Sequence, residues 1–521
     1  MPRIYTSIIL LFDTQDPAQA VDNLKAGLRR LNQRLPYIKG HVSATDASVE
    51  NRGRLGIKWS AADRDIELTE PTFDGLDEDG RVPLLDISFP ELKGQGAPLK
   101  YFPRRIMPLP VVTDLHSSLD APVLAVNYTL LDGGLTVGLC VQHNVMDGTG
   151  MVELIRFWAD CTRFADDSLT GCTAPDPEEP LHRDRLLRLA TTRQDHNTAE
   201  VDSAPGDSEK ANHISPQSSS ETAAFRDLLA RHREFRLLSD APAAALRPSA
   251  APAAVSKIFT FDTAKLEAVK QLVRGFFQEA ACVTTNNVLS AIMWSCVTRV
   301  RAARRRHSAS GGLGAPSSKL GFAINGRTRL STTRSSTRGE PFKAVPFLGN
   351  VNLFGMAEMP VPELLAACQV PGGGGLDGGD GHRQLARVVE EIARAVKRVT
   401  PGHVAEVMDL IDMAPDVSDI APGWESLHGA DLSITSWANM GLYEADFGEG
   451  VGRPELMRVP WMTMDGLLIV LPRKRGLGKE LWDAEMRAEE AGAETIEVVV
   501  VLHPQDVVAL GEDSTLCSYL L

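Results

Sequence analysis

Several familiar chemistries lack their signatures in these 521 residues. There is no C-x-x-C pair and no H-E-x-x-H; the seven scattered cysteines predict neither a disulfide framework nor a zinc site, but small core residues in a reducing compartment. No apolar run is long enough to span a bilayer, and the opening "MPRIYTSIILLFDTQDP" has no small-residue cleavage site behind a basic head. A cytoplasmic chain without a membrane span is therefore expected. Basic charge is also short: the formal net charge is -14 with no dominant Lys/Arg belt, which argues against a nucleic-acid partner. The glycine-rich stretches "SASGGLGAPSS" and "PGGGGLDGGDG" lack the Gly-Lys-Ser/Thr ending of a phosphate loop and read as surface loops. No G-x-S-x-G elbow supports a triad hydrolase, and no repeat of solenoid length is present.

An apolar fraction of 43% and a charged fraction of 23% describe a globular protein, and the length favours more than one compact unit. Strand and helix alternate in both halves. The opening apolar run precedes a helix with Ala18, Val21, Leu24, Leu28 and Leu31 at helical spacing. Asp132-Gly133-Gly134 joins two β-rich runs as a hairpin, and "IEVVVVL" at 496–502 predicts a buried strand. The expected architecture is α/β, two units with a cleft between them: residues 1–190, a polar linker or insertion over 191–222 carrying "HNTAEVDSAPGDSEKANHISPQSSSE", and residues 223–521. His196 and His213 fall in the polar stretch and are not expected to act as bases. The cluster Arg299, Arg301, Arg304, Arg305 and Arg306 reads as a solvated helix end, with an anionic cofactor as the alternative.

The chemistry concentrates in "VQHNVMDGTGM", residues 141–151, where His143 stands between a strand and an amphipathic helix. His143 and Asp147 alone are too few for a metal site, so none is expected. A neutral imidazole is a suitable general base near neutral pH, able to take a proton from an alcohol or amine attacking a carbonyl. A satisfied core histidine is the competing reading. Asp147 either orients the site directly or braces the turn through an arginine, because a buried carboxylate needs such a partner.

"HNVMDG" (His143 to Gly148), "AINGRTRL" (323–330), "FLGN" (347–350), "ITSW" (434–437) and "YEADFGEG" (443–450) share their order and approximate spacing with one family. The chain resembles the BAHD-type acyl-CoA-dependent acyltransferases, above all the fungal branch that includes trichothecene 3-O-acetyltransferase. The resemblance implies two chloramphenicol-acetyltransferase-like α/β domains, an interdomain solvent tunnel, and a monomer. It makes acyl-CoA a co-substrate, with no bound cofactor, and a small hydroxylated metabolite the acceptor. It makes His143 the base and pairs Asp147, beside Gly148, with Arg327 as first choice and Arg329 as second. Thr435 and Trp437 would stand near the acceptor and oxyanion, with a packed aromatic as the competing reading of Trp437. Thr284 and Thr285 at a helix start would meet coenzyme A, and Asp446 and Gly448 would hold a loop far from the chemistry. In that loop Glu449 replaces the tryptophan of the plant pattern, and Val451-Gly452 intervene before Arg453-Pro454. A condensation-type transferase using a carrier-protein thioester is the alternative enzyme; its usual second histidine is Gln142 here. A non-catalytic metabolite-binding relative is the third possibility.

Overall fold

The computed structural model describes residues 4–45, 53–71, 87–109, 121–164, 219–240, 253–277, 283–306, 316–330, 346–368, 379–426, 429–474 and 494–521. Residues 191–218 of the expected linker, with His196 and His213, lie outside these ranges, as do residues 308–315 and 371–378 of the two glycine-rich stretches. Residues 219–222 open the helix Ser219–Arg231.

A five-stranded sheet runs in the order Leu456–Arg458, Tyr5–Asp13, Gly134–Gln142, Leu124–Leu131, Leu68–Thr69. Tyr5–Asp13 and Gly134–Gln142 are buried along nearly their whole length, which is why they read as continuous apolar runs rather than alternating ones. The hairpin turns at Gly133, whose φ of 78° favours glycine. Helix Pro17–Arg34 is capped by Asp16, which accepts from Gln19 N at 3.0 Å, and buries Val21, Leu24, Leu28 and Leu31. It lies against helix Gly148–Arg163, where Trp158 Nε1 donates to Leu24 O at 3.3 Å.

The second sheet has six strands, in the order Asn352–Pro360, Ser317–Asn325, Leu432–Ser436, Leu467–Val470, Thr495–Leu502, Val255–Asp262. The "IEVVVVL" strand has neighbours on both sides, both antiparallel, and Val498 to Leu502 are fully buried. Helix Thr285–Arg306 buries most of its surface, including Trp294, in this sheet's core.

The two halves are interlocked. Strand Leu456–Arg458 leaves the C-terminal half and pairs antiparallel with Tyr5–Asp13, placing Arg458 opposite Ile9. Arg458 is fully buried and forks onto both carboxylate oxygens of Glu497 at 2.9 Å, while donating to the carbonyls of Gly96 and Ala97. Glu497 belongs to Thr495–Leu502, so one ion pair spans both sheets.

The arginine cluster departs from the expected solvated helix end. Arg301 is buried against Asp465 at 3.0 Å, Arg304 forks onto fully buried Asp506 at 2.7 and 2.9 Å, and Arg299 pairs with Asp513. A charge run looks solvated when its partners lie about two hundred residues downstream. Of the five described cysteines, all free, four are buried as expected and Cys517 is exposed.

Candidate active site

His143 sits where strand pairing ends. Gln142 is the last residue paired with Tyr5, His143 N still donates to Ile4 O at 2.9 Å, and Val145 N then turns back to Gln142 O. The ring is half-buried and lines a cavity of about 1240 Å³ between the two sheets. Its Nδ1 is buried and, among the described residues, has no partner beyond the residue's own carbonyl. That contact favours the proton on Nδ1 and leaves the lone pair on Nε2. Burial lowers the imidazole's pKa below its ordinary 6.5, against opposing pulls from its own carbonyl and from Asp147.

Asp147 is a structural hub. One oxygen caps helix Gly148–Arg163 by accepting from Gly150 N at 2.9 Å; the other accepts from Arg327 Nη1 and from Val351 N, each at 2.8 Å. Arg327, the first-choice partner, also donates to the carbonyls of Phe347 and Gly349. Arg329 faces Val396 O instead, at 3.5 Å. The "FLGN" segment therefore seats the arginine, and its Asn350 holds the histidine: Nδ2 donates to His143 O at 2.9 Å. The sequence places Asn350 at the end of the "FLGN" motif without assigning it a role. An amide beside a Gly in an otherwise apolar segment was the signal available.

Helix entry needs a glycine at 150, because a Cβ there would run into the carbonyl of Leu348. Gly150→Ala is expected to cut folded yield and activity together, measured by soluble expression and thermal melting; an unchanged melt would show that the "FLGN" segment can shift aside.

The C-terminal half completes the cavity wall. Thr435 and Trp437 both line it, and Trp437 N is anchored to Val470 O at 2.9 Å. The indole Nε1 lies 3.6 Å from the position a Cβ on Gly148 would take, so the "ITSW" strand end faces the histidine turn. Asn325 Nδ2 donates to Thr149 Oγ1 at 3.3 Å across the same junction. Phe322, Phe354 and Trp424 give the cavity an apolar flank, while Arg54, Asp416 and Asp419 give it charge.

Two sets of expected residues lie away from the cavity lining. Thr284 Oγ1 caps helix Thr285–Arg306 by accepting from Asn287 N at 3.1 Å, and Lys270 Nζ donates to Thr285 Oγ1 at 3.4 Å. Asp446 accepts from Gly448 N at 3.0 Å and draws Arg163 and Arg453 to 3.5 and 3.6 Å. Gly448 has φ of 88° and packs against the backbone of Arg163. Arg453 thus reaches Asp446 despite the two residues inserted before it.

Comparison with known proteins matches residues 4–161 to the trichothecene 3-O-acetyltransferase-like N-terminal domain and residues 104–338 to the Transferase family. Trichothecene 8-O-acetyltransferase of Fusarium sporotrichioides is 29% identical over 529 residues, covering 98% of this chain and 94% of that protein. The O-acetyltransferase ptmV of Penicillium ochrochloron is 24% identical, covering 91% and 88%. Among solved structures, F. sporotrichioides TRI101 complexed with coenzyme A and T-2 superposes with a TM-score of 0.64 at 19% identity, covering 100% of this chain and 96% of that one. Sheets, cavity and neighbours define an α/β transferase with the two-domain chloramphenicol-acetyltransferase-like fold. The chain is similar to the BAHD-type acyl-CoA-dependent acyltransferases, and most of all to their fungal trichothecene O-acetyltransferase-like branch.

Proposed function

We propose that this enzyme moves an acetyl group from acetyl-CoA to a hydroxyl of a small secondary metabolite, with His143 as general base and no covalent acyl-enzyme. The observation that carries the reading is the half-buried His143 ring, lining a cavity walled by both halves of the chain. At about 1240 Å³ the cavity exceeds the roughly 300–1,000 Å³ typical of a single drug-sized ligand, which suits two substrates held together. The relative named trichothecene 8-O-acetyltransferase makes hydroxylated trichothecenes the first acceptors to assay.

In the proposed cycle, Nε2 takes the acceptor's hydroxyl proton as its oxygen attacks the thioester carbonyl. The resulting oxyanion is stabilised by the Thr435 hydroxyl and the Trp437 indole N–H. The C–S bond then breaks, and the imidazolium returns the proton to the departing CoA thiolate. Asp147 acts as a positioning residue: its contacts with Arg327, Val351 and Gly150 fix the turn that carries His143. Thr284 and Thr285, at a helix start beside Lys270, are assigned to coenzyme A, and Asp446 with Gly448 to loop structure. Residues 1–190 and 223–521 are taken as the two catalytic halves of a monomer, joined by 191–222. No described helix is long and apolar enough to cross a membrane, and the free cysteines suit a reducing, cytoplasmic setting.

The test is a thiol-release screen of several acyl-CoAs against hydroxylated metabolites, with mass spectrometry of the products. Ligand binding without CoA release, or turnover only with a carrier-bound donor, would overturn the proposal.

The depressed pKa of His143 gives the pH dependence its sign. Neutral imidazole is the active form, and a lowered pKa keeps it neutral to lower pH. The acidic limb of kcat/KM is therefore expected below 6.5; a midpoint above 6.5 would contradict the buried setting of the ring.

A further inference from the structure

Away from the catalytic cavity, four side chains with metal-binding atoms meet at the end of helix Ser219–Arg231 and the start of helix Pro401–Met413. They are His232, Glu234, His403 and Glu406, an H-x-E and an H-x-x-E brought together from distant parts of the chain. The turn is rigid: His232 N donates to Leu229 O at 3.0 Å, and Phe235 N to His232 O at 2.9 Å. His403 sits in the first turn of its helix, its N–H capped by Thr400 Oγ1 at 3.2 Å.

We propose that His232 Nδ1, Glu234 and His403 Nε2 bind one Zn²⁺, with solvent as the fourth ligand. Glu234 Oε1 stands 3.0 Å from His232 Nδ1 and 3.1 Å from His403 Nε2. Tetrahedral zinc, with bonds of about 2.0–2.2 Å to nitrogen and oxygen, sets its ligand atoms about 3.3 Å apart. The three donor atoms all lie within 4.8 Å of one another, and the half-buried His403 ring can turn to shorten the longest gap.

The histidines point the same way. His403 Nε2 is buried, and at 3.1 Å from a carboxylate oxygen it makes no hydrogen bond among the described residues. Its axis misses that oxygen, whereas His232 Nδ1 is hydrogen-bonded to Glu234 Oε1 at 3.0 Å, a contact that an ion between them would replace. His232 is 2% exposed and has carboxylates at both ring nitrogens: Glu234 at Nδ1, and Glu406 Oε2 3.2 Å from Nε2. Neutral imidazole carries one proton and cannot donate to both. Among the described residues His232 Nε2, like His403 Nε2, makes no hydrogen bond, and an ion on Nδ1 would leave the proton on Nε2 with the half-exposed Glu406 3.2 Å away to take it, as in the carboxylate–histidine–zinc arrangement.

A cavity of about 510 Å³, lined by Glu234 and His403, gives solvent access to the fourth position. Two imidazoles and one carboxylate suit zinc better than magnesium or calcium, which take mostly oxygen. The ion would also steady the catalytic cavity. Strand Phe235–Leu237 pairs with Ile420–Pro422, both contribute to the cavity wall, and Gly423 N donates to Glu234 O at 2.8 Å.

The test uses the full-length protein, stripped with chelator, dialysed against Zn²⁺ and desalted. Elemental analysis should find one zinc per chain, and the melting temperature should rise with zinc and fall again with chelator. Cobalt loading should give the intense visible bands of a four- or five-coordinate ion. His403→Gln and Glu234→Gln, which spare the more deeply buried His232, should lose the zinc and the melting shift. Zinc retained equally by both variants, or a wild-type protein that keeps no zinc and melts alike with and without it, would overturn the proposal.

Discussion

His143→Ala is expected to lower turnover by about 10²–10⁴-fold, the usual contribution of a positioned general base. Folding should barely change, because the segment is held by its backbone: Ile4 O binds His143 N, and Asn350 binds His143 O. Among the described residues the ring's Nδ1 has no partner outside its own residue, so truncation strands no described buried group. The melt should stay within about 1 kcal/mol of wild type, and that combination separates loss of a base from loss of a fold. Near-normal turnover would sink the assignment, and a collapsed melt would favour the core-histidine reading.

Asp147→Asn should act through structure first. The carboxylate accepts three hydrogen bonds, and it and Arg327 are both nearly buried, 6% and 8% exposed. An asparagine amide offers one oxygen in place of two and turns an N–H₂ toward donors. The guanidinium then keeps its carbonyl partners but loses its counter-charge. Breaking such a pair from one side costs roughly 3–5 kcal/mol. Denaturant melts should show that loss, with activity falling in step as the His143 turn loosens. Arg327→Met should be comparably harmful alone, and the double variant should recover part of the loss, since neither charge is then left alone. A stable, active Asp147→Asn enzyme would remove the hub from the account.

What the sequence made legible follows from where the information lies. Helix Pro17–Arg34, the Gly133 hairpin and the buried strand at 496–502 are set by local spacing and turn chemistry, and each stands where that chemistry placed it. The Asp147–Arg327 pair was read from a resemblance, since nothing local to either residue points to the other. Ion pairs between distant segments escaped. The arginines at 299–304 looked solvated because Asp465, Asp506 and Asp513 approach only once the sheet is built. The His232–Glu234–His403 cluster was invisible for the same reason: each fragment is unremarkable until one turn and one helix meet.

The short strand Leu456–Arg458 has a consequence for how the enzyme comes into being. A growing chain that has emerged only through its first half carries Ile9 to Leu11 as a bare sheet margin, with main-chain donors and acceptors open to any extended neighbour. That margin closes only when residues 456–458, more than four hundred residues downstream, arrive. Because one strand of the first sheet comes from the far half of the chain, cutting the two lobes apart would leave that sheet with an open edge.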